Sequence, residues 1–336
     1  MKILIVRVGA MGDVLHALPA VAALRCAHPD WQIDWVVDPR WAPLLVDGEG
    51  NGPVVSRVHF AETKLWSKSP ASRATLRSVL NLRRALRCEH YDLAVDMQGT
   101  LRSAVIGLMS GAKRFVGYSD PRESLAARFY GTRVERRGRH VVEQGAALLG
   151  EACGVALEPS DFDLPHEEWA DDWAVDLVGD RRVCVLATGA GWAAKRWPAE
   201  KYGALAKELQ ASGLDVVVNA AKKNEVSTAA VVSASGGTAR VVVCNVTGLI
   251  ALMRKTALLV GGDSGPTHLA AALGVPVVAL FGPTDPARNG PWGAGPKVVL
   301  RDPASVTSYK HADTVDAGLA NIDVQAVVDA VRGLVR

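Results

Sequence analysis

Four glycine-bearing loops hold the residues whose types and spacing could do chemistry. The first is Arg7-Val-Gly-Ala-Met-Gly-Asp13-Val-Leu-His16, which follows a short apolar run and opens a helical pattern. Gly9 and Gly12 permit close backbone approach, and Asp13, in the loop or the first helical turn, is a reasonable general base. An aspartate there also suits a plain helix-capping role. The second loop is Ala187-Thr-Gly-Ala-Gly-Trp-Ala-Ala-Lys195-Arg-Trp-Pro198. Thr188, Gly189 and Gly191 leave backbone N–H groups open, Lys195 adds a compact positive charge and Pro198 starts a helix, a pattern suited to a diphosphate. A turn with a solvated lysine is the alternative. The third, Gly261-Gly-Asp263-Ser-Gly265-Pro-Thr267-His268, puts the amides of Ser264 and Gly265 at a helix N-terminus, where an anionic leaving group would be stabilised. Asp263 would repel phosphate, so a sugar-hydroxyl or structural role suits it; His268 is a phosphate donor or a packed histidine. The fourth, Phe281-Gly-Pro-Thr-Asp285-Pro, is made rigid by its prolines and reads as a wall of the ligand cleft or as a plain structural turn.

Short β-branched runs alternating with longer amphipathic stretches must position these loops. Strands are expected at Lys2–Val8, Gln32–Val37 and Leu93–Asp96, with helices at 14–27, 71–87 and 101–109. In the helix at 71–87, Leu76, Val79, Leu80 and Leu86 are read as lying on or near one face. Periodicity fades between Gly154 and Glu168, which marks a linker. A second alternating series follows, with strands at 182–187, 215–219, 240–244, 258–262 and 277–281, and a closing helix at 324–335. The pattern implies two doubly wound α/β domains with ligands at the C-terminal ends of parallel strands.

A length of 336 residues suits two such domains, and 49% hydrophobic residues can supply two cores. The opening Met1-Lys-Ile-Leu-Ile-Val-Arg is too short for a signal-peptide core, and no run is long enough to cross a bilayer, so a cytoplasmic protein is expected. The five scattered cysteines form no Cys-x-x-Cys pair and read as reduced, mostly buried thiols. Net charge is +3, yet residues 57–139 carry 17 basic against 7 acidic side chains. That excess suggests nucleic acid, an anionic lipid surface or a phosphorylated substrate as partner, or a merely solvated face.

Together the loops resemble glycosyltransferase family 9, the lipopolysaccharide heptosyltransferases. The resemblance rests on Met11-Gly-Asp-Val-Leu-His-Ala-Leu-Pro19, Lys195-Arg-Trp-Pro198, Gly262-Asp-Ser-Gly-Pro-Thr-His-Leu269 and Phe281-Gly-Pro-Thr-Asp-Pro286, in that order along nearly the whole chain. Trp35-Val-Val37, Asp96-Met-Gln-Gly99, Arg122-Glu-Ser-Leu-Ala126 and His140-Val-Val-Glu143 are similar to the branch that adds the first heptose to Kdo, heptosyltransferase I.

The resemblance implies an α/β fold of GT-B type, two Rossmann-like domains facing across a cleft. Residues 1–160 would bind acceptor, 161–320 would bind nucleotide-sugar, and a helix at 321–336 would be free to pack back toward the N-terminal domain. It implies an inverting transfer from ADP-heptose to Kdo-lipid A or a related acceptor, at the cytoplasmic face of the inner membrane. The expected partners include that anionic surface and no nucleic acid, and no essential metal is expected. By motif, Asp13 is the catalytic base and Lys195 faces the donor diphosphate. Thr188, Gly189, Gly191, Asp263, Ser264, Gly265 and His268 line the donor, and Glu225 holds its ribose. Gly12, Lys64, Lys68, Arg122 and His140 meet the acceptor, while Leu65 and Gln144 stand where that branch leads one to expect arginines. The loop Thr-Gly-Ala-Gly-Trp192 is more similar to other branches, so a family 9 enzyme acting on a later core sugar or on a protein stays open. Outside the class, an NAD(P)-dependent oxidoreductase would need a complete Gly-x-Gly-x-x-Gly, which is missing after the first strand; a non-catalytic nucleotide-binding protein would not need Asp13.

Overall fold

The computed structural model describes residues 1–222, 225–309 and 312–335. The chain divides into two compact units, Met1–Pro165 and His166–Arg336, and the break falls inside the stretch where periodicity fades.

The first unit contains β1 (Lys2–Val6), α1 (Met11–Ala27), β2 (Gln32–Val37), β3 (Arg57–Phe60), α2 (Thr63–Lys68), α3 (Arg73–Cys88), β4 (Leu93–Asp96), α4 (Leu101–Met109), β5 (Arg114–Tyr118), β6 (Thr132–Val134) and α5 (Val141–Cys153). Its six strands are all parallel, in the order β3-β2-β1-β4-β5-β6. β1 is a central strand, and Ile3, Leu4, Ile5 and Val6 are all fully buried, as a strand covered on both faces requires. One layer is made by α1 and α5, which pack on each other. The other is made by α3, α4 and the 3-10 turn Ser124–Phe129, whose Leu82, Leu86, Ala104, Ile106 and Ala126 share a core with Leu4, Val6, Val36 and Ala94.

In α3 the expected single apolar face splits into two ridges. Leu82 and Leu86 are buried, whereas Leu76 and Leu80 are exposed. At about 100° per residue, Leu86 stands roughly 80° around the helix from Leu76, and the sheet takes only the Leu82–Leu86 ridge.

The second unit contains α6 (Glu168–Val178), β7 (Val183–Ala187), α7 (Ala199–Ala211), β8 (Asp215–Ala220), α8 (Val226–Ala234), β9 (Arg240–Val243), α9 (Val246–Lys255), β10 (Leu258–Gly262), α10 (Gly265–Ala272), β11 (Val277–Phe281), α11 (Pro286–Asn289), β12 (Lys297–Arg301), α12 (Ala317–Asn321) and α13 (Val324–Leu334). Its parallel sheet runs β12-β11-β10-β7-β8-β9, the same winding repeated. The closing helix α13 belongs to this unit. Its Val327, Val328 and Val331 are buried in one core with Leu205, Leu209, Val278 and Leu280, so the return toward the first domain allowed by the sequence is not what buries its apolar face.

The five cysteines are all free, but Cys26 and Cys88 are exposed, against the expectation of mostly buried thiols. Among the described residues no helix is long and apolar enough to cross a membrane.

In each sheet the winding reverses beside its first strand, between β1 and β4 and between β7 and β10. Loops leaving two such strands diverge and open a crevice at the sheet's C-terminal edge. The first and third glycine-bearing loops leave β1 and β10, and the second leaves β7.

Candidate active site

In the first unit the edge is built around Arg7 and Asp13. Asp13 lies in the first turn of α1, and its Oδ2 accepts from the Ala10 amide at 2.9 Å. Its Oδ1 pairs with Arg7 Nη2 at 2.8 Å, and the side chain remains 39% exposed. Each oxygen therefore has one partner and keeps lone-pair capacity for a substrate hydroxyl. Both readings of Asp13 are physically compatible: it caps the helix start and still presents a carboxylate. Arg7 is itself fixed, because its Nη1 also donates to the Met97 carbonyl and its own carbonyl accepts from Trp35 Nε1 at 2.9 Å. At Gly9 a Cβ would sit 2.8 Å from the Trp41 indole nitrogen, so only glycine lets the loop pass that ring.

The loop after β4 is organised by Asp96, which is completely buried. Its Oδ1 accepts from the amides of Gln98 and Gly99 at 2.8 and 3.0 Å, and its Oδ2 from Ser103 Oγ and Tyr130 OH at 2.8 and 2.7 Å. Burial pushes its carboxyl above the usual range even against these four donors. Gln98, so placed, accepts from the Val8 amide at 2.8 Å and ties this loop to the one carrying Asp13.

Gly12 lies in the first turn of α1. Lys64 and Lys68 are exposed on α2, which follows β3 and is anchored at its start by Thr63 Oγ1 donating to Asp38 Oδ2 at 2.8 Å. Arg122 is exposed in the loop after β5, beside Glu123, whose amide donates to the Gly99 carbonyl at 2.9 Å. His140 caps α5, its Nδ1 accepting from the Val142 amide at 3.3 Å, and meets His16 of α1 edge-to-face at 5.4 Å between ring centroids. It is 8% exposed, a packed and capping histidine in this state. Because every strand is parallel, the loops bearing Asp13, Lys64, Lys68 and Arg122 leave one edge of the sheet.

In the second unit, Lys195 Nζ meets Asp263 Oδ2 at 2.5 Å, and Asp263 Oδ1 meets His268 Nε2 at 3.0 Å. Burial alone would raise the Asp263 carboxyl, but His268 and Lys195 outweigh it and hold the group well below the usual carboxylate range. Lys195 also lies 4.5 Å from the Trp192 ring centroid. The turn carrying Lys195 rests on β10, where a Cβ at Gly262 would sit 2.8 Å from the Lys195 carbonyl oxygen. Ser264 caps α10 through its backbone, and its hydroxyl makes no capping hydrogen bond; it lies 3.1 Å from Thr267 Oγ1. Gly265 is the first residue of α10. A Cβ at Gly189 or Gly191 would meet nothing within 4 Å, so the chain's own packing does not require glycine there. Two buried threonine hydroxyls at this edge, Thr188 after β7 and Thr284 after β11, have no hydrogen-bond partner among the described residues. Glu225 precedes α8, and its Oε1 accepts from the amides of Ala221 and Lys222 at 3.1 and 3.0 Å, so it shapes the loop after β8.

Three residues beyond those picked from the sequence belong to these edges. Arg7 and Asp96 stand inside the quoted motifs without an assigned role. Arg136 stacks 3.9 Å from the Tyr118 ring centroid, pairs with Asp120 and donates to Gln144 Oε1 at 3.2 Å. It thus brings a guanidinium to the residue where the resemblance led to the expectation of an arginine. No sequence signal singles it out among its arginine-rich neighbours.

A carboxylate-bearing edge in one doubly wound unit and a cationic, glycine-bearing edge backed by a helix N-terminus in the other fit the class of GT-B glycosyltransferases. The model of glycosyltransferase family 9 (heptosyltransferase) matches residues 79–315. Lipopolysaccharide heptosyltransferase 1 of Pseudomonas aeruginosa is 31% identical over 87% of this chain and 82% of its own length. That of Escherichia coli K12 is 29% identical over 99% of this chain and all of its own. The structure described as E. coli heptosyltransferase WaaC with ADP superposes with a TM-score of 0.81 at 25% identity, covering 99% of both chains. The chain belongs to glycosyltransferase family 9, the heptosyltransferases.

Proposed function

We propose that this chain transfers heptose from ADP-L-glycero-D-manno-heptose to the Kdo of the lipopolysaccharide inner core, working at the cytoplasmic face of the inner membrane. The donor reading is supported by two solved structures of one relative at 25% identity, described as E. coli heptosyltransferase WaaC with ADP and with ADP-2-deoxy-2-fluoro heptose. The acceptor reading is supported by curated relatives named lipopolysaccharide heptosyltransferase 1. The observation that carries the chemistry is the Lys195–Asp263–His268 cluster beside the N-terminus of α10.

In the proposed single displacement, Asp13 takes the proton of the acceptor hydroxyl as its oxygen bonds to the anomeric carbon. The bond from that carbon to the diphosphate breaks on the opposite face, which inverts the configuration, and ADP leaves with the electron pair. Lys195 and the amides at the start of α10 meet the growing charge on the diphosphate. Asp263 holds the ammonium of Lys195 in place, so little reorganisation is needed as charge develops. Arg7 fixes the Asp13 carboxylate. Glu225 would meet the ribose, Thr188, Gly189 and Gly191 the rest of the donor, and Gly12, Lys64, Lys68, Arg122 and His140 the acceptor.

The test is a product assay with ADP-heptose and defined Kdo-lipid A, with thermal shifts against ADP, UDP and NAD beside it. Heptosylated product and stabilisation by ADP above UDP and NAD are expected. Product only with an acceptor already carrying heptose would move the enzyme to a later step. Stabilisation by NAD alone would overturn the donor class.

A further inference from the structure

We infer that the layer formed by α3, α4 and the turn Ser124–Phe129 is a docking face for an anionic lipid bilayer. Its inner side packs on the sheet through Leu82, Leu86, Ala104, Ile106 and Ala126. Its outer side is unusual in two respects. Leu76 and Leu80 of α3 are 60% and 50% exposed, and Leu101, Val105 and Leu108 of α4 and Leu125 of the turn are exposed as well. The same three elements carry seven arginines, among them Arg73, Arg77, Arg83, Arg84 and Arg87 on α3, and no aspartate or glutamate.

The helical spacing makes this a single surface. Positions 73, 76, 77, 80, 83, 84 and 87 follow the three- and four-residue steps of one helix face, and all seven are exposed. The two leucines thus form a ridge with guanidinium groups on either side. A helix lying in the plane of an interface uses such a pattern: leucines enter the acyl boundary while the long arginine stems let their charges remain at headgroup level. A second copy of the chain would have to bring the same arginine field against itself. Nucleic acid would meet the charge, but the side chains between the arginines are aliphatic, with no aromatic platform for bases. An anionic bilayer complements both features at once.

This face rests on the proposed lipid-borne acceptor only for its biological sense, and it is tested without acceptor, donor or turnover. Full-length protein is sedimented with vesicles of equimolar phosphatidylglycerol and phosphatidylcholine, and with phosphatidylcholine alone. Binding to the anionic vesicles, reduced by salt, is expected. Arg77→Gln with Arg84→Gln should weaken partitioning about 30-fold, at roughly fivefold per charge near the surface. Leu76→Ser with Leu80→Ser should weaken it at least about tenfold, while Leu76→Phe should strengthen it. These side chains are exposed, so circular dichroism and ADP-induced thermal shift should match the unsubstituted protein. Equal binding by all variants, or equal binding to both vesicle types, would overturn the proposal. So would α3 substitutions that dissolve a dimer or abolish a gel shift with RNA while leaving vesicle binding intact.

Discussion

At the scale of the residue, Asp13 holds the start of α1 and is the proposed base, and substitution separates the two. Asparagine keeps an oxygen for the Ala10 amide but loses the base and the pairing with Arg7. Asp13→Asn should fold with nearly unchanged stability and bind ADP normally, while turnover falls roughly 10²–10⁴-fold, the usual worth of a general base. Near-full kcat in that variant would return Asp13 to capping alone. Asp263 offers a different readout, because its carboxyl is held low by His268 and Lys195 against the opposing effect of burial. A folded-state pKa below the unfolded value of about 3.9 stabilises the fold above that pH, and the stabilisation is lost as pH falls through the folded value. Other carboxyls, including Asp34 and Asp38, are also held low, so the informative quantity is a difference between proteins. Urea midpoints of the unsubstituted protein should fall more steeply than those of Asp263→Asn as pH drops from about 5 to 2. Parallel curves would show that the cluster does not stabilise the charged form of Asp263.

At the scale of the element, the central question is how a short turn holds Lys195 in register. The answer is the contact between that turn and the end of β10. A Cβ at Gly262 would come within 2.8 Å of the Lys195 carbonyl, and this is backbone that cannot step aside as a flexible side chain would. Gly262→Ala should therefore displace the Lys195 turn and raise the KM for ADP-heptose by about tenfold or more, with acceptor KM little changed. Unchanged donor kinetics would mean that the turn is free to shift without consequence. The sequence already held much of this arrangement. β10 and β11 are where uninterrupted apolar runs place them, since central strands buried on both faces leave that mark. β2 and β4 also keep their expected bounds, although Asp34 breaks the first run and Asp96 ends the second. The strands without a predicted counterpart are β3, β5, β6 and β12. Arg57–Phe60 begins with a charge, Arg114–Tyr118 contains a glycine, Thr132–Val134 has three residues, and Lys297–Arg301 is bounded by two charges, so none reads as a buried run. The loop motifs of the site were legible because glycines and charges after a strand are local signals. The Arg7–Asp13 pair, the four donors around Asp96 and the reach of Arg136 to Gln144 depend on tertiary direction, which spacing does not encode.

At the scale of the whole molecule, charge is divided in a way its net value of +3 hides. Residues 57–139 hold 17 basic and 7 acidic side chains. Part of that excess stands on the outer face of α3 and part in elements that follow strands of the first unit's sheet. Arg73, Arg77, Arg83, Arg84 and Arg87 face outward from α3, whereas Lys64, Lys68 and Arg122 stand in elements that follow strands at the sheet's C-terminal edge. A single salt titration on membranes would mix the two, but a water-soluble Kdo acceptor isolates the second. Exposed charges are screened over a Debye length of about 8 Å at physiological salt, and each exposed pair contributes on the order of 1 kcal/mol or less. With the soluble acceptor, raising salt should raise acceptor KM several-fold. Donor KM should move less, because the Lys195–Asp263 pair is mostly shielded, with side chains 15% and 9% exposed. Lys64→Ala with Arg122→Ala should raise acceptor KM to a similar degree and remove most of its salt dependence, leaving donor KM close to its original value. Arg77→Gln with Arg84→Gln should leave both constants unchanged on the soluble acceptor. If the Lys64 and Arg122 changes leave acceptor KM and its salt response intact, the acceptor is held elsewhere and these side chains form only a solvated rim.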